Sequence, residues 1–140
     1  MCGKDRNKVI TAVAAVIEND GKVLLTLRSE EPKKGFWHHP GGGVEFGESL
    51  HQALQRELQE ELGIETRVLS AQPVFVTQTL VPAEDRHIIC LFFRAEIVGG
   101  ELRPADGTEA FGFFDEAAAA KATLLDSCRD FLNRCYGWHL

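Results

Sequence analysis

Three things are scarce in this chain: paired cysteines, long apolar runs and basic residues. Its four cysteines stand at positions 2, 90, 128 and 135. None has CxxC spacing, so neither a zinc site nor a thioredoxin-type motif has support. Isolated thiols at this density point to a reducing, cytoplasmic setting. The main apolar run near the start, residues 9–17 with Thr11 inside it, is too short to span a bilayer. It follows a mildly basic segment, as a signal peptide would. However, Asn19-Asp20-Gly21 is a hairpin turn signal, and a second strand-like run follows at 22–28, so a strand pair is expected. Fifteen basic residues face 21 acidic ones, a formal charge of −6. That deficit argues against a phosphate-tracking nucleic-acid binder and against a polybasic membrane module. A small phosphorylated molecule stays compatible, because a bound divalent cation can carry the missing positive charge.

What is present is ordinary globular material, 44% apolar and 26% charged over 140 residues. A chain of this length buries close to ~70% of its unfolded surface, enough for one core. No repeat, low-complexity tract or linker divides it, so residues 1–140 are expected to form a single domain. Strands come first, followed by a polar Gly-rich loop over 32–47 and a helix over 49–62. Strand-like runs return at 66–79, 86–98 and 110–114, and a helical tail spans 115–135. The stretch 88–93 is apolar without alternation, as in a strand covered on both faces. Strands interrupted by two helical stretches predict an α/β fold, a mixed sheet with helices on its faces.

The helix over 49–62 carries the chemistry. Ser49 is a good N-cap, Gln52 completes a capping box, and Gly63 stands where a left-handed stop belongs. With Glu57 at zero, Leu50, Leu54, Leu58 and Leu62 fall at about 20°, 60°, 100° and 140°. Glu57, Glu60 and Glu61 fall at about 0°, −60° and 40°. A merely solvated acidic face would set its carboxylates opposite the leucines. Here Glu57 and Glu61 overlap the edge of the leucine stripe, while glutamines take the far side. Two like charges ~6 Å apart repel by roughly 3 kcal/mol at an effective dielectric of about 20. Near a core edge that repulsion calls for a counter-charge. Oxygen ligands suit a hard cation, Mg²⁺ or Mn²⁺.

Residues 42–64, GGVEFGESLHQALQRELQEELGI, resemble the Nudix box, G-x5-E-x7-R-E-U-x-E-E-x-G-U with U a bulky aliphatic. Every specified position is met, by Gly42, Glu48, Arg56, Glu57, Leu58, Glu60, Glu61, Gly63 and Ile64. The resemblance extends to the strand pair, the Gly35-Phe36-Trp37 approach, the Pro40–Gly43 loop and the segment from Glu109. It implies an α/β/α sandwich with a mixed sheet and a metal-dependent pyrophosphohydrolase of nucleoside diphosphates linked to a further group. It also implies that Glu57, Glu60 and Glu61 bind the metal, joined by the Gly42 carbonyl, and that Arg56 orients the box carboxylates with Glu48 as partner. Glu57 and Glu109 are the two candidates for general base.

Substrate contacts are expected from Arg28, Trp37 and Arg86. The competing readings are that Phe36, Trp37, His38 and His39 are half-buried core aromatics, and that Arg28, Lys33, Lys34 and Arg86 are solvated cations. Among substrate branches, the tyrosine of the dinucleoside-polyphosphate branch is missing from 80–82, and the NADH-branch signature is absent. Pro82 sits near, though slightly after, the proline of the ADP-ribose branch. An ADP-ribose or ADP-sugar type of substrate is therefore favoured. A MutT-type nucleoside triphosphate pyrophosphatase is the alternative, and a non-catalytic nucleotide sensor is the reading from another class. The expected partners are a small nucleotide and possible pairing into a homodimer, with no nucleic-acid polymer or membrane. Glu45, Glu48, Glu57, Glu60 and Glu61 against Arg56 alone put −4 of the chain's −6 into residues 42–64.

Overall fold

A computed structural model describes residues 8–140. Cys2 lies outside the described residues. The fold is built on a mixed sheet of five strands. At its centre β1 (Ile10–Val16) runs parallel to the long β8 (Arg86–Gly100). Antiparallel partners flank this pair: β5 (Gly41–Gly43) on β1, and β6 (Ile64–Val68) and β7 (Phe75–Val81) on β8. The smaller sheet is antiparallel throughout. In it β3 (Lys22–Arg28) pairs with β2 (Glu18–Asn19), β4 (Trp37–His38) and β9 (Thr108–Phe114).

The two faces of the mixed sheet carry separate cores. Val13, Ala15, Phe93 and Ala95 pack with Ala53, Leu54, Leu58 and Leu62 of α1 (Leu50–Leu62). Ala14, Val16 and Phe92 pack instead with Cys128, Phe131 and Leu132 of α3 (Asp126–Tyr136). Each central strand therefore needs apolar residues at consecutive positions, which accounts for the missing alternation at 88–93. Among the described residues no helix is long and apolar enough to cross a membrane.

Helix α1 forms as its local signals dictate. The Ser49 hydroxyl accepts from the Gln52 amide, the Gln52 side chain returns the bond, and Gly63 closes the helix at φ 69°. Four expectations need correction. The Asp20-Gly21 turn is real, but its arms are β2 and the start of β3, extended by the Leu24 amide donating to the Ile17 carbonyl at 2.9 Å, and β1 takes no part in it. Both edges of β1 are taken by β5 and β8, so the chain changes sheets at Ile17–Glu18. Residues 32–47 are not all loop, since β4 and β5 lie within them. Three glycines carry no strand propensity of their own, and tertiary pairing with Ala12–Ala14 imposes it. The run 66–79 divides into β6 and β7, both laid on β8. The helical tail also breaks, into α2 (Glu116–Ala120) and α3. Between them the chain pairs with Trp37, whose amide donates to the Thr123 carbonyl at 2.8 Å and whose carbonyl accepts from Leu125 at 3.0 Å.

Candidate active site

The buried leucines of α1 fix its rotation, and that rotation aims Glu57 and Glu61 at the Gly41–Gly43 strand. The Gly41 amide donates to Glu61 Oε1 at 3.2 Å. A Cβ placed on Gly42 would stand 2.5 Å from the Glu57 carboxyl carbon, so the missing side chain is the space the carboxylate occupies. Glu57 and Glu61 lie within hydrogen-bonding reach of each other. Burial first, and the Glu57 charge second, push the Glu61 carboxyl up to about 8. Burial also raises Glu57, although Arg56 beside it pulls the other way.

Arg56 ties this pair to its surroundings. Its Nε and Nη2 fork onto Glu48 at 2.6 and 3.0 Å. Nη1 donates to Glu57 at 3.1 Å and to Glu60 at 3.3 Å, and Nη2 also reaches the Gly43 carbonyl at 2.9 Å. A planar guanidinium meets several acceptors at fixed angles, which an ammonium cannot do. These bonds, led by Glu48, hold Arg56 firmly cationic and hold the Glu48 carboxyl below its usual range.

The residues expected around the metal are thus brought together unequally. Glu57, Glu61 and Gly42 converge. Glu60 is half-exposed and turned toward Arg56. Among the described residues no three His, Cys, Asp or Glu side chains gather tightly enough to enclose an ion. The donor set nonetheless fits a hard divalent cation. Two partly buried carboxylates share one space; among the described residues Arg56 pairs with Glu57, and Arg28 reaches Glu61 by charge only. A third carboxylate stands one helical turn away, and an ion that keeps several waters needs no closed protein cage.

Beside the carboxylates opens a cavity of about 250 Å³. Its floor is the α3 side of the sheet, where Ala12 and Ala14 leave room beside Cys90 and Phe92. Arg28 and Arg86 line it. Arg28 is steadied by its Nε, which donates to the Pro32 carbonyl at 2.8 Å, and its charge reaches both His38 and Glu61. Trp37, expected against substrate, is not part of the lining. Its ring packs on Phe114, centroids 4.8 Å apart, within the α3-side core. Glu109 is exposed at an irregularity in β9, where Leu27 faces Ala110 and Arg28 faces Thr108, leaving Glu109 between. Among the described residues no hydrogen bond or ion pair joins it to the α1 carboxylates.

Sequence reasoning missed the cavity wall. The signal was present in the small alternate residues of β1, Ala12 and Ala14, but it acquires meaning only once α3 covers that face. His39 is 2% exposed, and its ring meets Phe92 and Phe131 edge-on at 5.2 and 4.9 Å. Among the described residues neither ring nitrogen has a hydrogen-bond partner, and burial, aided by neighbouring His38, lowers its pKa to about 3.

The NUDIX domain family model matches residues 8–135. An ADP-ribose pyrophosphatase of Methanocaldococcus jannaschii is 38% identical over 104 residues, which are 74% of this chain and 60% of that protein. A CTP pyrophosphohydrolase of Escherichia coli is 55% identical over 62 residues, 44% of this chain and 46% of that protein. The matched region thus spans about half to three-fifths of these two relatives. The crystal structure of a MutT NUDIX hydrolase from Burkholderia pseudomallei superposes with a TM-score of 0.80 at 29% identity, covering 91% of this chain and 98% of that one.

Proposed function

The chain belongs to the NUDIX family, and on that premise we propose that it is a divalent-metal-dependent pyrophosphohydrolase of nucleoside diphosphates joined to a further group, of the ADP-ribose or ADP-sugar type. The observation that carries this reading is the Glu57–Glu61 pair, set against Gly41 and Gly42 at the rim of the cavity. The similarity to an ADP-ribose pyrophosphatase across 74% of the chain supports the substrate class.

Glu57 and Glu61 would hold the cation, Mg²⁺ or Mn²⁺, with Glu60 and the Gly42 carbonyl completing the protein's share. When bound, the cation supplies polarisation of the phosphoryl oxygens and acidifies a water. The chain's own residues do the rest. Arg56 fixes Glu57 and Glu60 through one guanidinium, so the carboxylates keep their spacing when substrate charge arrives. Arg28 and Arg86 offer cations to the diphosphate, and the apolar cavity floor takes the base or sugar and excludes water. Water adds to one phosphorus, the bridging P–O bond breaks, and the departing phosphate takes its electrons. The proton released by the water passes to a carboxylate, Glu57 or Glu109.

A second reading, release of pyrophosphate from a nucleoside triphosphate, is favoured by the 55% identity to a CTP pyrophosphohydrolase over 62 residues. One experiment separates the two. The protein is incubated with Mg²⁺ and ADP-ribose, CTP or a dinucleoside polyphosphate, and the products are resolved. AMP with a phosphosugar supports the first reading, and CMP with pyrophosphate supports the second. Binding without turnover of any substrate would favour a sensor and sink both.

A further inference from the structure

Strand β7 ends the mixed sheet, and among the described residues it pairs with β8 alone. Free sheet edges in soluble proteins are normally blunted by charge, proline or a bulge. This one, FVTQTLV, has neither charge nor proline, and its register on β8 runs without a shift. Its outward residues are Val76, Gln78 and Leu80, the two apolar ones 52% and 55% exposed.

The order of these residues identifies what covers them. A two-fold partner demands that a surface complement itself. Read outward from Gln78, the strand is Thr77 and Thr79, then Val76 and Leu80, then Phe75 and Val81. An antiparallel copy centred on Gln78 sets threonine against threonine and apolar residue against apolar residue, over a ladder ~24 Å long. An unrelated peptide would need no such symmetry.

Two further observations agree. A groove of about 420 Å³ runs between β7 and α3, lined by Thr77–Val81 on one side and by Asp126, Arg129 and Asp130 on the other. Along that helix Arg129 already pairs with Asp126 and Asp130 with Arg134, so it presents balanced charge to an approaching copy. Thr77 lines the groove at 6% exposure, and among the described residues its hydroxyl has no hydrogen-bond partner. A facing Thr79 hydroxyl would supply one. We propose that β7 pairs antiparallel with β7 of a second copy, about a two-fold axis through Gln78, joining two mixed sheets into one.

Sedimentation velocity from ~1 to ~100 μM, the range in which a standard-size interface associates, should reveal a species of twice the 15.5 kDa chain mass. Val76→Lys/Leu80→Lys sets lysines opposite each other and should give monomer with its far-UV spectrum retained. Val76→Lys/Leu80→Glu sets opposite charges across the axis and should restore the dimer. Gln78→Cys should form an inter-chain disulfide under mild oxidation faster than the parent chain with its four native cysteines. That arm tests the register even if the lysine variant fails to fold. A parent chain monomeric at the highest concentration, a dimer indifferent to the two lysines, or Gln78→Cys cross-linking no faster than the parent would each overturn the proposal.

Discussion

Three consecutive glycines should respond to alanine in three different ways, because each faces a different neighbour. At Gly41 a Cβ would lie 1.9 Å from the Val13 carbonyl oxygen, and the residue sits at φ 155°. Neither backbone can yield without separating β5 from β1. Gly41→Ala should therefore destabilise by more than ~3 kcal/mol, the scale of forced backbone strain in a packed core. That corresponds to a Tm loss of about 6–12 °C in a chain of this size. At Gly42 the backbone is unstrained, but the new Cβ would lie 2.5–2.6 Å from three atoms of the Glu57 carboxyl group. Ordinary contact begins near 3.4 Å, so the carboxylate must retreat by roughly 1 Å, a displacement that costs about 10²-fold in rate when it falls on a catalytic group. The side chain can make that move, so Tm should change by less than ~3 °C, within 1 kcal/mol. At Gly43 an added Cβ would meet nothing within 4 Å among the described residues, and alanine should be neutral in both respects. The assay is Mg²⁺-dependent turnover of the best substrate, paired with thermal unfolding of each variant. Gly42→Ala within twofold of the parent kcat would refute the placement of Glu57 at the chemistry. Gly41→Ala with unchanged Tm would refute the β1–β5 register.

Other outcomes follow from the same geometry. Glu60→Gln and Glu61→Gln should each remove most turnover while the chain stays folded, and near-normal kcat in either would remove that residue from the metal site. Arg56→Lys keeps the charge but loses the fork onto Glu48, so kcat should fall with little change in KM, whereas a substrate-binding role would raise KM instead. Chelation should abolish turnover, and Mg²⁺ at about 100 times its Kd should stabilise the protein by ~2.7 kcal/mol; a Tm indifferent to Mg²⁺ would contradict the carboxylate pair as its site. His39 falls from 6.5 to about 3 on burial, so between those values the unfolded chain binds the extra proton and stability drops as pH falls. From pH 7 to pH 5 that single group should cost about 2 kcal/mol at 1.36 kcal/mol per pH unit. Urea unfolding of His39→Phe at both pH values should lack this loss; an equal pH dependence in the variant would count against it.

The sequence alone determined the helix that carries the carboxylates. Its cap, its stop and the relation of Glu57 and Glu61 to the leucine stripe are contacts between residues three and four apart. Such contacts are written in spacing, and the specificity of the box placed the chain in its family. It also determined where the charge lies, because −4 in residues 42–64 is a property of the chain. Tertiary structure decided what those carboxylates face. The Gly41 amide that meets Glu61 lies 20 residues away. The cavity exists because β1, β5, β8 and the start of α3 converge, and no local signal encodes that meeting. Strand register likewise decided that Trp37 packs on Phe114 and not in the cavity, and that the tail breaks where Trp37 captures Thr123 and Leu125. The same register left β7 paired, among the described residues, with β8 alone. Periodicity reports which face of an element is apolar, but the partner that covers this face is chosen by packing between distant segments.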